Sequence, residues 1–514
     1  MSGLTEATAP ASALPPRSVL VIGAGPAGMA AARSARAAGA TVTVLDSSDQ
    51  LGGQFWRHLP EARPAANERI LHHGWDTFRT LSAALEGDDG CRVIRSAQVW
   101  AIELRDDAPG TVHVVIGEPD GVGRDRLVLH PDTIVLATGA HDRTLPFPGW
   151  DLPGVFTGGA AQALAKGERI AVGDRVVVAG AGPFLLPVAA SLAATGSRVL
   201  GVYEANRIPA LIRGWLPRFW QLFPAASKGA ELGGYVAGHL KNRIPYRLGK
   251  AVIAAHGTDR VEAVTVASVT ADWAPIPGTE RRIAVDAVCV SHGFAPRLEL
   301  AIAAGCELTP ERFVQVDAGQ ETTVPGVFAA GEITGIGGVD LALAEGAIAG
   351  HVAAGGSATD EVLARSVRKR TTFRGFAARI EGAHGIRDGW PSMLTDETIV
   401  CRCEEVSYGT LCSTADSTHS HSLRALKLST RAGLGICQGR ICGRTVEALL
   451  GSRTGGLSDG VSTDRRPIAA PIRLGELAAS PCAAHEFSTD IPVTESHDLD
   501  ELPESHQAPT KGPK

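Results

Sequence analysis

Four cysteines near the C-terminus form two closely spaced pairs. Cys401 and Cys403 are separated by one residue, and after 33 further residues Cys437 and Cys442 follow. Four thiolates are the ligand set of a [2Fe–2S] cluster. Zinc is the alternative, but its cysteine pairs are usually spaced C-x₂₋₄-C, and the C-x-C pair is tighter than that. The spacing therefore favours an iron–sulfur site over zinc or unrelated buried thiols.

A glycine-rich turn near the N-terminus has the spacing of a dinucleotide site. A short apolar strand, 18–22, leads into Gly23-Ala-Gly25-Pro-Ala-Gly28, and Asp46 ends the next strand. Glycines at these three positions permit a sharp turn, close approach of a pyrophosphate and tight packing of the following helix. The carboxylate of Asp46 suits a ribose hydroxyl and would repel a 2′-phosphate. The unit therefore predicts a dinucleotide-binding fold.

The same unit recurs about 155 residues later. A strand at 175–179 leads into Gly180-Ala-Gly182-Pro-Phe-Leu185, and Glu204 takes the place of the first acidic residue. Leu185 replaces the third glycine, so we expect helix and strand to be forced apart and the pyrophosphate seat to be distorted. Glu204 would suit NAD, so nicotinamide binding and a degenerate structural repeat are both open for this second fold.

A second glycine pair, in Leu51-Gly52-Gly53-Gln54, follows the first acidic residue. The glycines would let this loop run along a flavin, and Gln54 offers an amide to a ring or substrate; a surface turn explains the residues equally well. No Cys-x-x-Cys lies beside either glycine motif, which argues against thiol–disulfide reductase chemistry. We interpret the isolated histidines as solvated or core residues rather than catalysts: His72, His73, His141 and His292.

Together these patterns predict an α/β protein with two duplicated Rossmann-like dinucleotide-binding folds and a small helical C-terminal domain. We expect the first fold in two parts that enclose the second, followed by a charged linker, the cysteine domain and an extended arm. The N-terminus and an acidic tail are expected to be disordered. The predicted boundaries are 1–17 (N-terminus), 18–150 and 294–358 (first fold), 151–293 (second fold), 359–394 (linker), 395–455 (cysteine domain), 456–480 (arm) and 481–514 (tail).

Composition narrows the range of partners. The 514 residues are 44% hydrophobic and 20% charged, with a net charge of -6. This balance implies neither nucleic acid nor a membrane surface as a partner. The uncharged stretch 176–196 contains Gly180, Gly182, Pro183 and Pro187, so it indicates strand, turn and helix rather than a membrane span. We see no secretion signal, and free thiols with a labile cluster would fit a reducing cytoplasm.

The chain resembles the larger (alpha) subunit of the heteromeric flavin-dependent amine dehydrogenases, a group that includes opine oxidases, hydrogen cyanide synthase, and D-hydroxyproline or proline dehydrogenases. The resemblance covers about residues 18–480 and implies folds like those of pyridine nucleotide-disulfide oxidoreductases. Its cysteine segment resembles the bacterioferritin-associated ferredoxin type of [2Fe–2S] domain, whose ligands match the four cysteines. The matching segments are 23–28, 52–54, 137–143, 152–159 and 331–332.

The resemblance implies FAD in the first fold, with Val99 near the adenine and Gly331-Glu332 near the ribityl chain. FAD-binding relatives mostly carry Asp where this chain has Glu332. Some members hold a different adenine nucleotide in this fold, and some hold FMN at the subunit boundary, so FMN at a partner interface is a further expectation. The expected cofactor contacts are Gly23, Gly25, Pro26, Ala27, Gly28, Asp46, Gly53, Gln54, Val99, Ala137, Thr138, Gly139, Gly331 and Glu332.

In the group that the chain resembles, the amine is oxidised on a separate, smaller FAD-containing subunit. The implied function is therefore an electron-transfer subunit of an amino-acid or opine dehydrogenase, passing electrons to a quinone or carrier; no catalytic residue is assigned. An NADH-dependent reductase of a ferredoxin or rubredoxin is the main alternative, favoured by Glu204 and opposed by Leu185. A zinc-stabilised scaffold without flavin is a third possibility.

Overall fold

The computed structural model describes residues 16–60, 62–105, 108–119, 121–217, 226–456 and 468–481. The predicted disordered N-terminus up to residue 15, the acidic tail from residue 482 and part of the predicted arm, 457–467, lie outside these described residues.

Strands and helices alternate along the chain, with the following bounds. The strands are β1 Ser18–Ile22, β2 Thr41–Leu45, β3 Cys91–Ile94, β4 Ala97–Arg105, β5 Ala108–Ile116, β6 Asp125–Leu129, β7 Thr133–Leu136, β8 Ala140–Asp142, β9 Val155–Thr157, β10 Arg175–Gly180, β11 Arg198–Glu204, β12 Tyr246–Leu248, β13 Lys250–His256, β14 Ala263–Ser268, β15 Arg281–Ala284, β16 Ala287–Ser291, β17 Phe294–Pro296, β18 Val327–Ala329, β19 Ile399–Cys401 and β20 Val406–Ser407. The α-helices are α1 Pro26–Ala37, α2 Trp75–Glu86, α3 Gly158–Gly167, α4 Leu185–Ala194, α5 Ile208–Trp215, α6 Ala226–Lys241, α7 Glu299–Ala303, α8 Gly338–Ala353, α9 Ala364–His384, α10 Tyr408–Thr418, α11 Leu423–Thr430, α12 Gly443–Thr454 and α13 Leu474–Ala478.

Two five-stranded parallel sheets have the same strand arrangement. The first runs β3-β2-β1-β7-β18 and the second β12-β11-β10-β16-β9. Their central strands are buried and almost wholly apolar, as expected for parallel strands covered on both faces. The matching order confirms the predicted α/β class and the internal duplication. The first sheet is completed only after the second, because β18 follows it in the chain.

Smaller elements close the space around the two sheets. The antiparallel sheets β4-β5-β6 and β13-β14-β15 each accompany one of the two folds, and the short pair β8–β17 joins the segments that leave β7 and β16. Helix α1 packs on α8, where Ser34 Oγ donates a 2.7 Å hydrogen bond to the carbonyl oxygen of Ala347. None of the helices in the described ranges has the length and apolar character that a membrane crossing requires.

The segment predicted as a linker contains the 21-residue helix α9. Its charges do not simply face water: Arg370 donates to the side-chain oxygen of Gln320 at 3.1 Å, and Arg374 pairs with the buried carboxylate of Glu345 at 2.8 Å. The charge run therefore fastens a helix to the first fold. Similarly, the described end of the predicted extended arm contains the short helix α13.

Candidate functional site

A cavity of about 2310 Å³ runs from the first fold to the second and on to the cysteine domain. Its volume exceeds the range of about 300–1,000 Å³ that is usual for a single small-molecule site. Every residue that we expected to contact a cofactor lines it except Gly28. A Cβ at Gly28 would lie 1.7 Å from the carbonyl oxygen of Gly23, so this residue acts by letting α1 approach the turn.

The glycine turn of the first fold leaves space towards this cavity. A Cβ built on Gly25 has no atom within 4 Å, whereas Gly25 itself lines the cavity. Helix α1 begins directly after it, at Pro26, so the positive end of the helix dipole faces the same space. This is the geometry that a pyrophosphate requires, because the anion must approach the backbone closely.

Asp46 lies at the end of β2 beside the same turn. Its carboxylate accepts hydrogen bonds from the backbone N–H groups of Ala24, at 2.6 Å, and Ser48, at 2.8 Å. Burial raises the pKa of Asp46, although these two hydrogen bonds act in the opposite direction. Each carboxylate oxygen can accept more than one hydrogen bond, so capacity for a ribose hydroxyl is left at the cavity wall.

The loop with the second glycine pair lies against the glycine turn. Gly52 donates a 2.9 Å hydrogen bond to the carbonyl oxygen of Ala24, and both Gly53 and Gln54 line the cavity. The Gln54 side-chain oxygen accepts a hydrogen bond from Arg57 at 3.2 Å. The loop is therefore part of the cavity wall, and the Gln54 amide nitrogen has no hydrogen-bond partner among the described residues.

Glu332 closes the opposite end of the first-fold part of the cavity. One carboxylate oxygen accepts a 2.8 Å hydrogen bond from the N–H of Gly338, where α8 begins. Burial raises the pKa of Glu332 to about 7. A side chain of this kind can serve either as an acceptor or as a hydroxyl donor near neutral pH, which suits contact with the hydroxyl groups of a ribityl chain.

The four predicted cluster cysteines come together in the C-terminal domain. The Cys442 thiol contacts the sulfur atoms of Cys401 and Cys437, and Cys403 contacts Cys437. The approach depends on Gly435, where a Cβ would lie 2.3 Å from the Cβ of Cys403. All four are free of disulfides, and Cys403 is exposed while Cys401 is buried.

Backbone N–H groups point at these sulfur atoms. The contact from Cys442, together with the N–H groups of Ile441 and Gly439, lowers the pKa of Cys437 to about 4. The same kind of environment lowers the pKa of Cys401 to about 6. Such donors stabilise thiolates, the form that binds metal.

In the described part of the chain, no three His, Cys, Asp or Glu side chains converge on a single ion. A [2Fe–2S] cluster divides four thiolates between two irons and does not need three ligands around one point. Four adjacent sulfur atoms with surrounding N–H donors therefore form a donor set that fits such a cluster.

His141 connects the cavity with the cysteine loop. Its Nε2–H donates to the carbonyl oxygen of Arg440 at 3.0 Å, and burial lowers the pKa of His141. Arg440 lies between Cys437 and Cys442, and its guanidinium pairs with Glu299 at 2.7 Å. His141, Arg440 and Glu299 all line the cavity. No sequence pattern indicated this contact, since the two partners are 299 residues apart.

The second fold differs from the first at its glycine turn. Helix α4 begins at Leu185, five positions after Gly180, whereas α1 begins three positions after Gly23. Leu185 is fully buried, and its N–H already donates to the carbonyl oxygen of Gly182 at 3.2 Å. The leucine thus delays the helix, as its side chain must be accommodated in the core where a glycine would let the helix approach.

Glu204 of the second fold is wholly buried and already satisfied. Its carboxylate accepts hydrogen bonds from Gly182 N–H at 2.8 Å, Asn206 Nδ2 at 2.9 Å and the Tyr246 hydroxyl at 3.1 Å. His384, at the end of α9, lies 3.5 Å away. Burial alone would raise the pKa of Glu204, but these hydrogen bonds and the nearby histidine lower it.

Comparisons with known proteins agree with this architecture. The chain matches the pyridine nucleotide-disulphide oxidoreductase family over residues 17–350 and the BFD-like [2Fe-2S] binding domain over residues 399–452. It is 34% identical to the A chain of the opine oxidase of Agrobacterium tumefaciens (strain Ach5), covering 91% of this chain and 92% of that protein.

Two further relatives extend these comparisons. The chain is 31% identical to hydrogen cyanide synthase subunit HcnB of Pseudomonas protegens, covering 82% of this chain and 89% of that one. The solved structure of L-proline dehydrogenase from P. horikoshii superposes with a TM-score of 0.62 at 19% identity, over 90% of this chain and 79% of that chain. This last likeness concerns the fold alone.

Proposed function

The chain belongs to the pyridine nucleotide-disulphide oxidoreductase family, and from that premise we propose that it is the electron-transfer subunit of a heteromeric amino-acid or opine dehydrogenase. It is an oxidoreductase by family, and it carries a C-terminal domain of the BFD-like [2Fe-2S] type. The subunit names of its relatives support a heteromeric assembly.

FAD is the flavin that we assign to the first fold. The open space at Gly25 would receive its pyrophosphate, and Asp46 would accept from its ribose. Glu332 would contact the ribityl chain. The four cysteine thiolates would hold the [2Fe–2S] cluster. When bound, the flavin accepts electrons in pairs and the cluster passes them on singly, while the chain's own residues fix both in place.

The observation that carries this proposal is the shared wall between the cavity and the cysteine loop. His141 and Arg440 line the cavity, and the hydrogen bond that joins them lies in the loop between Cys437 and Cys442. A flavin in the cavity and a cluster in the loop would therefore be separated by few protein groups. Electrons can then pass between them inside one chain.

The amine would be oxidised on a smaller, FAD-containing, oxidase-like partner subunit. We extend the proposal to FMN at the partner interface, to a quinone or soluble carrier as the final acceptor, and to a cytoplasmic location that keeps the thiols reduced. An NADH-dependent reductase receives less support, because Glu204 is satisfied within the chain and the glycine turn beside it is altered.

Anaerobic purification of the tagged chain from its own host provides the test. We expect a flavin and iron–sulfur absorption spectrum, two irons and two sulfides per chain for a [2Fe–2S] cluster, and a co-purifying smaller flavoprotein identified by mass spectrometry. The complex should reduce a dye with opines or secondary amino acids such as proline, and the separated chain should not. Full activity from the separated chain would refute the division of labour. Rapid bleaching of its flavin by NADH would favour the reductase.

A further inference from the structure

The part of the cavity near the second fold contains an arginine without an anionic partner. Arg143 follows β8, and its N–H donates to the carbonyl oxygen of Gly293 at 3.0 Å. Its Nε is buried and has no hydrogen-bond partner, and no ion pair to its guanidinium occurs in the described ranges. Glu381 and Glu447 act on it only at longer range, and burial lowers the pKa of Arg143.

A histidine beside this arginine is also unpartnered. His292 follows β16, and both residues line the cavity. The Nδ1 of His292 is buried without a hydrogen-bond partner among the described residues, as is the Oγ of Ser291 next to it. Burial, reinforced by the charge of Arg143, lowers the pKa of His292 to about 4, so the ring is neutral at pH 7.

Buried polar groups are normally satisfied, and an unpaired buried guanidinium is among the most costly exceptions. Three such groups, Arg143, Ser291 and His292, lie together where β8 and β16 end. A guanidinium with an adjacent neutral imidazole is a donor set that suits an oxyanion, because both can donate hydrogen bonds and only one carries charge.

A dinucleotide in the usual register of the second fold does not account for these groups. The ribose acceptor, Glu204, already has three donors. The N–H groups of Leu185 and Leu186, which would otherwise face a pyrophosphate, donate to the carbonyl oxygens of Gly182 and Pro183. The unsatisfied groups lie beside this turn rather than within it.

We propose that Arg143 and His292 form an anion site within the cavity, and that its ligand is a small organic carboxylate. The charge of the site favours a monoanion, because a single unpaired guanidinium faces the ligand while the carboxylates of Glu381 and Glu447 act nearby. The planar fork of the guanidinium matches a carboxylate by two parallel hydrogen bonds. The site is independent of the proposed amine oxidation and needs no partner subunit.

Calorimetric titration of the cofactor-loaded chain with pyruvate tests the site, with inorganic phosphate and chloride titrated at the same ionic strength. We expect pyruvate to bind, and Arg143→Met to weaken its binding by about tenfold or more. Arg33→Met, a change at an exposed arginine on α1, is the matched control and should bind like the unaltered chain.

Several outcomes would overturn the site. These are unchanged pyruvate affinity in Arg143→Met, phosphate binding as tightly as pyruvate, or NADH binding that Glu204→Gln abolishes. If Arg143→Met does not fold, Arg143→Lys keeps the charge but loses the fork. It should bind pyruvate about fivefold more weakly, and equal affinity in this variant would equally contradict the proposal.

Discussion

His141 Nε2 lies 3.0 Å from the main-chain carbonyl oxygen of Arg440, and this hydrogen bond joins the first fold to the loop that carries two of the four clustered cysteines. The ring is held neutral, since burial lowers the pKa of His141, so the contact persists at physiological pH. Arg440 is fixed in turn by Glu299 and by the carbonyl oxygen of Ala469, at 2.8 Å.

Replacing this histidine should slow electron transfer without removing either cofactor. In His141→Ala we expect unchanged flavin and iron contents and transfer from flavin to cluster about fivefold slower, equivalent to the loss of one hydrogen bond of about 1 kcal/mol. Anaerobic stopped-flow spectroscopy after flavin reduction measures the rate. His419→Ala, at an exposed position after α10, is the control. Equal rates in the two variants would remove the proposed route.

The open space at Gly25 predicts a selective loss of flavin. In Gly25→Ala the new methyl group meets no protein atom within 4 Å, so the fold should be retained while the methyl occupies the space of the pyrophosphate. We expect flavin affinity to fall by at least about tenfold, since a displaced anion loses charge-assisted hydrogen bonds. Equilibrium dialysis of the flavin-stripped protein with FAD gives the affinity.

Two further glycine variants separate binding from folding. Gly28→Ala would place its methyl 1.7 Å from the carbonyl oxygen of Gly23 and should reduce stability together with flavin content. Gly375→Ala, on α9 with no atom within 4 Å, should change neither except for a small gain in helix stability. Normal FAD affinity in Gly25→Ala would remove the first fold as the pyrophosphate site.

Glu332 makes the stability of the flavin-free protein depend on pH. The pKa of its buried carboxyl is raised to about 7, above the unfolded value of about 4.3. The folded state then binds more protons between these values, so stability falls as pH rises through this window and levels off above pH 7. Between pH 5.5 and 7.5 we expect a loss of about 2 kcal/mol.

Urea unfolding of the flavin-stripped chain at these two pH values measures the effect. Glu332→Gln should remove this part of the pH dependence, because an amide does not titrate. Glu361→Gln, at an exposed glutamate, should leave it intact. A pH dependence that is the same in both variants would show that Glu332 is not the group responsible.

Local patterns in the sequence predict the two folds well, because each strand–glycine–helix unit is determined by residues close together in the chain. The predicted strands 18–22 and 41–45 coincide with β1 and β2. The charges of α9 instead suggest a solvated linker, because only the fold brings Glu345 and Gln320 against them.

The site could be predicted only in part, for a related reason. The cavity-lining glycines and Asp46 belong to one local motif, and the four cysteines have a recognisable spacing. The His141–Arg440 contact and the unpartnered Arg143 depend instead on how separate domains pack. Residue type alone indicates neither, because a lone histidine or arginine is usually solvated.

Gly435 predicts a way to remove the cluster without touching a ligand. A Cβ at this position would lie 2.3 Å from the Cβ of Cys403, so Gly435→Ala must displace that cysteine. We expect iron content and the electron paramagnetic resonance signal of the reduced cluster to fall by at least about half, with flavin retained, because ligand geometry governs cluster assembly. Gly451→Ala, on α12 with no atom within 4 Å, is the control. Full iron content in Gly435→Ala would contradict the assignment of Cys403 as a ligand.

The arm after the cysteine domain is fastened to the first fold by a buried ion pair. Arg124 donates two hydrogen bonds to Glu476 of α13, at 2.7 and 2.8 Å, and both side chains are buried. The hydrogen bonds from Arg124 lower the pKa of Glu476 to about 2, so the pair remains charged at neutral pH.

Breaking one side of this pair leaves a buried charge without its partner, which costs about 3 kcal/mol. Glu476→Gln should therefore release the arm, and because Arg440 also donates to Ala469 within it, the cysteine loop should loosen as well. Hydrogen exchange followed by mass spectrometry should show faster exchange in 468–481 and in the loop around Arg440. Glu361→Gln serves again as the exposed control. Faster exchange confined to the arm would show that the arm does not support the cysteine loop.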